Sequence, residues 1–98
     1  MYKALSVALA ALTIATAARA ESGMASYYSG ASHRGEMTCA HRTRPFGSMV
    51  TVSYAGRSIR CRVTDRGPYI RGRVLDISIS AARALGIMRS GVVLVTLE

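Results

Sequence analysis

The chain has 98 residues, half of them hydrophobic, with 13 basic and five acidic side chains and two cysteines. That length leaves room for one small domain. A net charge of +8 suits an anionic partner, or else serves to keep a small domain soluble.

The first twenty residues read as a leader. Lys3 supplies a positive start, residues 4–17 are apolar or small, and Ala18-Arg19-Ala20 fits the A-x-A cleavage pattern, so a secretory signal peptide over residues 1–20 is expected to be cut before Glu21. The apolar run is shorter than the roughly 20 residues a bilayer span needs. No Cys follows the cut, so lipid attachment there is not indicated. The expected product is a soluble secreted or periplasmic domain over residues 21–98, without a stable membrane anchor. Taking Lys3 and Arg19 from the 13 cations leaves 11, all Arg, against five acids. Export sets nucleic acid aside as the partner of this charge. An anionic wall polymer fits better, since peptidoglycan carries lactyl and peptide carboxylates.

Residues 24–28, with Tyr27 and Tyr28, read as a first strand, and the Gly/Ser-rich stretch 29–35 as a loop. His33 and Arg34 fall in that loop and receive no role. Residues 36–43 are ambiguous, although Pro45 and Gly47 rule out a long helix. Residues 49–54 and 57–64 alternate cleanly on both sides of Ala55-Gly56, the pattern of a hairpin. On its second strand Ile59, Cys61 and Val63 share the core face, and Arg60 and Arg62 the other. Residues 78–85 form the one helix, with Ser78 placed to cap it and Gly86 to end it. Residues 91–97 are apolar and β-branched, a buried strand. Five or six short strands with one helix predict a small barrel.

Within that frame Arg62-Val63-Thr64-Asp65 runs into Arg66-Gly67-Pro68, and Arg73-Val74-Leu75-Asp76 echoes it eleven residues later. Each acid is expected at a strand end, where both could serve one site or be ordinary turn residues. Two beyond Val63, Asp65 is expected on the inward face at the barrel mouth, where lost hydration would raise its pKa unless Arg66 pairs with it. Cys39 and Cys61, in an exported domain, are expected to form a disulfide worth about 3 kcal/mol. Two buried thiols, or a Cys39–His41 thiolate site, are the other readings.

Taken in order, Gly23-Met24-Ala25-Ser26-Tyr27-Tyr28, the run Met37-Thr38-Cys39-Ala40-His41-Arg42-Thr43-Arg44-Pro45-Phe46-Gly47, Val63-Thr64-Asp65-Arg66-Gly67-Pro68-Tyr69 and Gly72-Arg73-Val74-Leu75-Asp76-Ile77-Ser78, followed by Ala81-Ala82-Arg83-Ala84-Leu85-Gly86, resemble the rare lipoprotein A family. The resemblance covers nearly all of residues 21–98. It implies a mainly β fold, a six-stranded double-psi β-barrel with one short helix. It also implies an endolytic peptidoglycan transglycosylase acting on peptide-stripped glycan strands in wall remodelling or septation, with septal division proteins as possible partners. No cofactor or metal is implied, and a monomer is expected. Related expansins and barwins keep open a non-catalytic glycan-binding module.

By the same resemblance Asp65 matches the acid of the family's Asp-Arg-Gly-Pro motif, with Arg66 beside it on the substrate side. His41 matches the motif histidine, Asp76 the essential acid of expansin-like relatives, and Tyr27 and Tyr28 the aromatic strand lining the glycan groove. One tyrosine is expected in the core and the other in the groove. Glu36 is the fourth candidate acid, but Gly35-Glu36 lies only five residues before His41, closer than the family spacing. Cys39 stands where Ala is usual, and the lipoprotein Cys is absent. A transglycosylase needs one titrating carboxyl group, assigned to Asp65. His41 would position the sugar or tune Asp65, and Asp76 would stabilise positive charge on the ring.

Overall fold

A computed structural model describes residues 20–29 and 35–98. The leader assigned to residues 1–20 lies outside them except for Ala20, as do His33 and Arg34. Six strands and one helix follow in order: β1 Glu21–Tyr28, β2 Thr38–Ala40, β3 Met49–Tyr54, β4 Arg57–Asp65, β5 Arg73–Ser78, α1 Ile79–Leu85 and β6 Val93–Leu97. They close in the order β1-β5-β2-β4-β3-β6. The β1/β5 and β2/β4 pairs are parallel, and the other four are antiparallel.

Some placements differ from the sequence reading. β1 starts at Glu21 because residues 21–25 pair with β6, a partner that the local pattern does not reveal. β6 starts at Val93 rather than 91. Asp76 is inside β5, not at its end, since the strand runs on to Ser78. The ambiguous stretch resolves as the three-residue β2, held between β4 and β5. The expected hairpin joins β3 to β4, with Ala55 and Gly56 both at positive φ (49° and 79°), the turn that matches strand twist.

Alternation places Ala25, Cys39, Val50, Val52, Cys61, Val63, Leu75, Ile77, Val95 and Leu97 inside, all at most 2% exposed. Cys39 and Cys61 are joined there across neighbouring strands, with Cα atoms 5.7 Å apart. In a domain this small, that link adds to a core with little area to spare.

The strand directions define two ends. α1 packs against β4, β5 and β1 and buries Ala81, Ala82 and Leu85. Ser78 Oγ accepts from the Ala81 N–H, and Gly86 ends the helix in the left-handed region. β1, β3 and β5 run toward this end; β2, β4 and β6 run away from it. Glu21, His41, Met49, Asp65 and Leu97 therefore gather at the opposite end, the mouth, with the segment 41–48 as a strap.

Candidate active site on the rim and outer face of the barrel

Asp65 ends β4 at the mouth and is exposed. The inward placement expected from alternation fails for a local reason. β2 and β4 pair Cys39 with Val63 but Ala40 with Asp65, so Thr64 is an extra residue that shifts the register. The bulge turns Asp65 from the core side to the outer side, a common use of bulges beside functional sites. Its Oδ1 accepts from the Arg66 N–H at 2.8 Å.

Asp76 reaches the same face from the other side of β2. Ala40 pairs with Asp65 on β4 and with Asp76 on β5, so the two acids flank one small residue. Two strand spacings put their backbones about 10 Å apart. Ser26, the β1 partner of Asp76, donates its hydroxyl to Asp76 Oδ1, and Arg73 Nη1 donates to Ser26 Oγ at 2.9 Å. Ser26 is 9% exposed and Asp76 half-buried, so this relay holds the carboxylate in place from below.

The two tyrosines separate as strand alternation requires. Tyr27 packs against the core and its hydroxyl donates to the Met88 carbonyl at 2.9 Å. That ring is structural, which corrects the assignment of Tyr27 to the groove. Tyr28 is on the outer side, its hydroxyl 2.9 Å from Thr38 Oγ1. Glu36 approaches the same face beside β2, but Arg62 holds its Oε1 through Nε at 2.8 Å and Nη2 at 2.7 Å. Arg62 pairs with Thr38, so Glu36 is tied toward the helix end of β2, away from Asp65.

His41 is 5% exposed, and its ring nitrogens bond the strap and Glu21. Nδ1 accepts backbone N–H bonds from Thr43 (3.1 Å) and Arg44 (3.0 Å), so Nε2 carries the proton and donates to Glu21 Oε1 at 2.7 Å. Arg44 Nη2 reaches the same oxygen at 3.4 Å. With both ring nitrogens engaged, His41 acts on the strap and on Glu21. Only its backbone meets Asp65, through an N–H donated to the Asp65 carbonyl at 3.1 Å.

Arg66 locks this arrangement. Its Nη1 donates to the carbonyls of His41 (3.2 Å) and Arg44 (2.7 Å), and its guanidinium stacks 3.9 Å from the Phe46 ring centroid. It braces the strap rather than neutralising the Asp65 side chain.

Glu21, Ser26 and Arg73 are the members of this region that the sequence reading missed. Ser26 and Arg73 sit within the motif blocks, but their relay needs the β1/β5 register. Glu21 was visible only as the residue after a cleavage site.

Residues 20–97 match the family described as lytic transglycolase. The chain belongs to that family. It is 53% identical over 64 residues to the "Probable endolytic peptidoglycan transglycosylase RlpA" of Nostoc sp., a match covering 63% of this chain and 17% of the relative. The protein of the same name from Synechocystis sp. is 44% identical over 97 residues, covering 86% of this chain and 30% of the relative. The chain thus spans less than a third of these relatives. Among solved structures, apo Clavibacter michiganensis expansin superposes with a TM-score of 0.70 at 22% identity, over 82% of this chain and 50% of the other. That likeness shows the fold, the mainly β double-psi barrel.

Proposed function

We propose that this domain is an exported peptidoglycan lytic transglycosylase that cleaves peptide-stripped glycan strands and leaves 1,6-anhydromuramyl ends. The observation that carries the reading is the pair Asp65 and Asp76, which flank Ala40 across β2 in a chain of the lytic transglycolase family.

Asp65, on the rim, protonates the glycosidic oxygen, and the bond to the anomeric carbon breaks. Asp76, oriented by Ser26, faces the positive charge that develops on the ring. The muramyl 6-hydroxyl then attacks the anomeric carbon of its own sugar while Asp65 takes that hydroxyl's proton, the first proton having left on the released sugar. No water is consumed, and holding the hydroxyl in place makes internal attack the faster outcome. One carboxyl group serves as acid and then base, as the reaction demands. Tyr28 fits the groove wall, and Glu36, held by Arg62, fits a supporting part.

Secretion after cleavage before Glu21, action as a monomer, and work in wall remodelling or septation complete the proposal. N-terminal sequencing of the exported protein tests the first, with Glu21 expected as residue one. For the reaction, purified protein is incubated with denuded glycan strands and the products are weighed by mass spectrometry. Anhydromuramyl ends support the proposal. Binding without product would favour a glycan-binding module of the expansin kind.

A further inference from the structure

The arginines divide by position. Arg44 holds Glu21, Arg62 holds Glu36, Arg66 braces the strap and Arg73 backs Ser26. Arg57, Arg83 and Arg89 do none of this. All three are exposed, and their side chains make no ion pair or hydrogen bond among the described residues. They share the end of the barrel opposite the mouth. Arg57 opens β4 just after the hairpin turn, Arg83 is on α1, and Arg89 is on the segment leading from α1 to β6. The Arg57 guanidinium is drawn to the helix. Its Nη1 comes within 3.0 Å of where a Cβ on Gly86 would stand, at the negative end of α1.

No acid answers these cations. Of the five in the chain, Glu21, Asp65 and Glu98 are at the mouth, Asp76 is inside β5 against Ser26, and Glu36 is paired with Arg62. The mouth mixes its acids with Arg42, Arg44, Arg66 and Arg71. The opposite pole therefore carries three uncompensated positive charges, an arrangement that turns the domain end-on to an anionic surface.

Two aliphatic side chains stand beside these charges. Val92 is 40% and Leu94 65% exposed, just beyond Arg89, and Leu94 lines a shallow depression with Arg57 at the hairpin turn. A hydrated polyanion offers such side chains nothing. The boundary of a bilayer takes cations at its headgroups and aliphatic side chains just beneath them. We infer that the helix end docks reversibly on an anionic lipid surface. Arg57, Arg83 and Arg89 meet the headgroup phosphates, and Val92 and Leu94 meet the acyl boundary. In that pose the mouth, with Asp65, faces away from the bilayer. The inference concerns where the domain sits and is independent of the reaction proposed above.

The test is co-sedimentation of the exported protein with phosphatidylcholine vesicles, with and without phosphatidylglycerol. Each arginine is worth about fivefold, so wild-type protein is expected to bind the anionic vesicles about a hundredfold more tightly in about 0.1 M salt. The preference should vanish near 1 M salt, where the Debye length shrinks to about 3 Å. Arg57→Gln/Arg83→Gln/Arg89→Gln should bind both vesicles alike. Arg83→Gln/Arg89→Gln changes only side chains without partners, serves as the fold-neutral variant, and should lose about twentyfold. Both variants should release anhydromuramyl ends from denuded strands as the wild type does. Equal affinity of wild-type protein for the two vesicles would overturn the inference, as would undiminished binding by both variants. So would wild-type protein that ignores vesicles but binds peptide-bearing sacculi through the same arginines, since the occupant would then be a wall polymer. A vesicle preference without cleavage of denuded strands would end the proposed function and leave this inference standing.

Discussion

Asp65 and Asp76 are partners of the same residue: Ala40 pairs with one across β2/β4 and with the other across β2/β5. The acids are eleven residues apart in the chain, yet only the width of β2 separates them in the barrel. The first consequence concerns Asp76, whose Oδ1 is held by Ser26 with Arg73 behind it. Ser26→Ala deletes that hydrogen bond and is expected to lower kcat about tenfold, the rate equivalent of a bond worth roughly 1.4 kcal/mol. Asp76→Asn should cost more than Ser26→Ala and less than loss of the acid. Steady-state rates on denuded strands, with KM compared, would contradict this if Ser26→Ala were unchanged.

Glu36 gives the opposite expectation. Its pair with Arg62 joins side chains 42% and 39% exposed, so solvent screens it. Glu36→Gln should change stability by less than about 1 kcal/mol and leave turnover within about twofold. A collapse of turnover in this variant would move Glu36 into the reacting centre.

The Cys39–Cys61 link should be worth about 3 kcal/mol by the chain-entropy account. Urea unfolding of the double variant Cys39→Ala/Cys61→Ala, beside the oxidised wild type, measures it. An unchanged midpoint would show that the barrel closes as well without the link. Thiol labelling of unfolded, unreduced protein should find no free cysteine.

Arg66 is expected to matter through the strap. Arg66→Lys keeps the charge but loses the planar fork that reaches two carbonyls and stacks on Phe46. The expected loss is about 2 kcal/mol, with faster amide exchange across residues 41–48. A variant that weakens glycan binding at unaltered exchange would instead place Arg66 in direct contact with substrate.

The barrel, its helix, the hairpin and the disulfide were legible because each leaves a short-range mark: alternation, a capping serine, a tight turn, a single cysteine pair. Asp65 and Asp76 stand out in the sequence as an echoed pair, and the barrel sets them on either side of β2; the orientations of the side chains were not legible. Asp65 was placed on the wrong face because the extra residue at Thr64 appears only in the pairing with β2. For His41, expected to position the sugar or tune Asp65, nothing local shows Thr43 and Arg44 filling Nδ1. Glu21 meets His41 twenty residues away through barrel closure, a contact no periodicity encodes.

The central claim is that Asp65 is the proton donor and acceptor. Asp65→Asn replaces an exposed carboxylate with an amide of nearly the same shape, so the fold and much of the glycan binding should persist while the proton transfer is lost. The measurement is anhydromuramyl release from denuded strands by wild-type and Asp65→Asn protein, with pull-down on insoluble peptidoglycan run in parallel. The account predicts product from the wild type, none above background from Asp65→Asn, and binding by both. Near wild-type release from Asp65→Asn would contradict it and pass the role to Asp76 or Glu36.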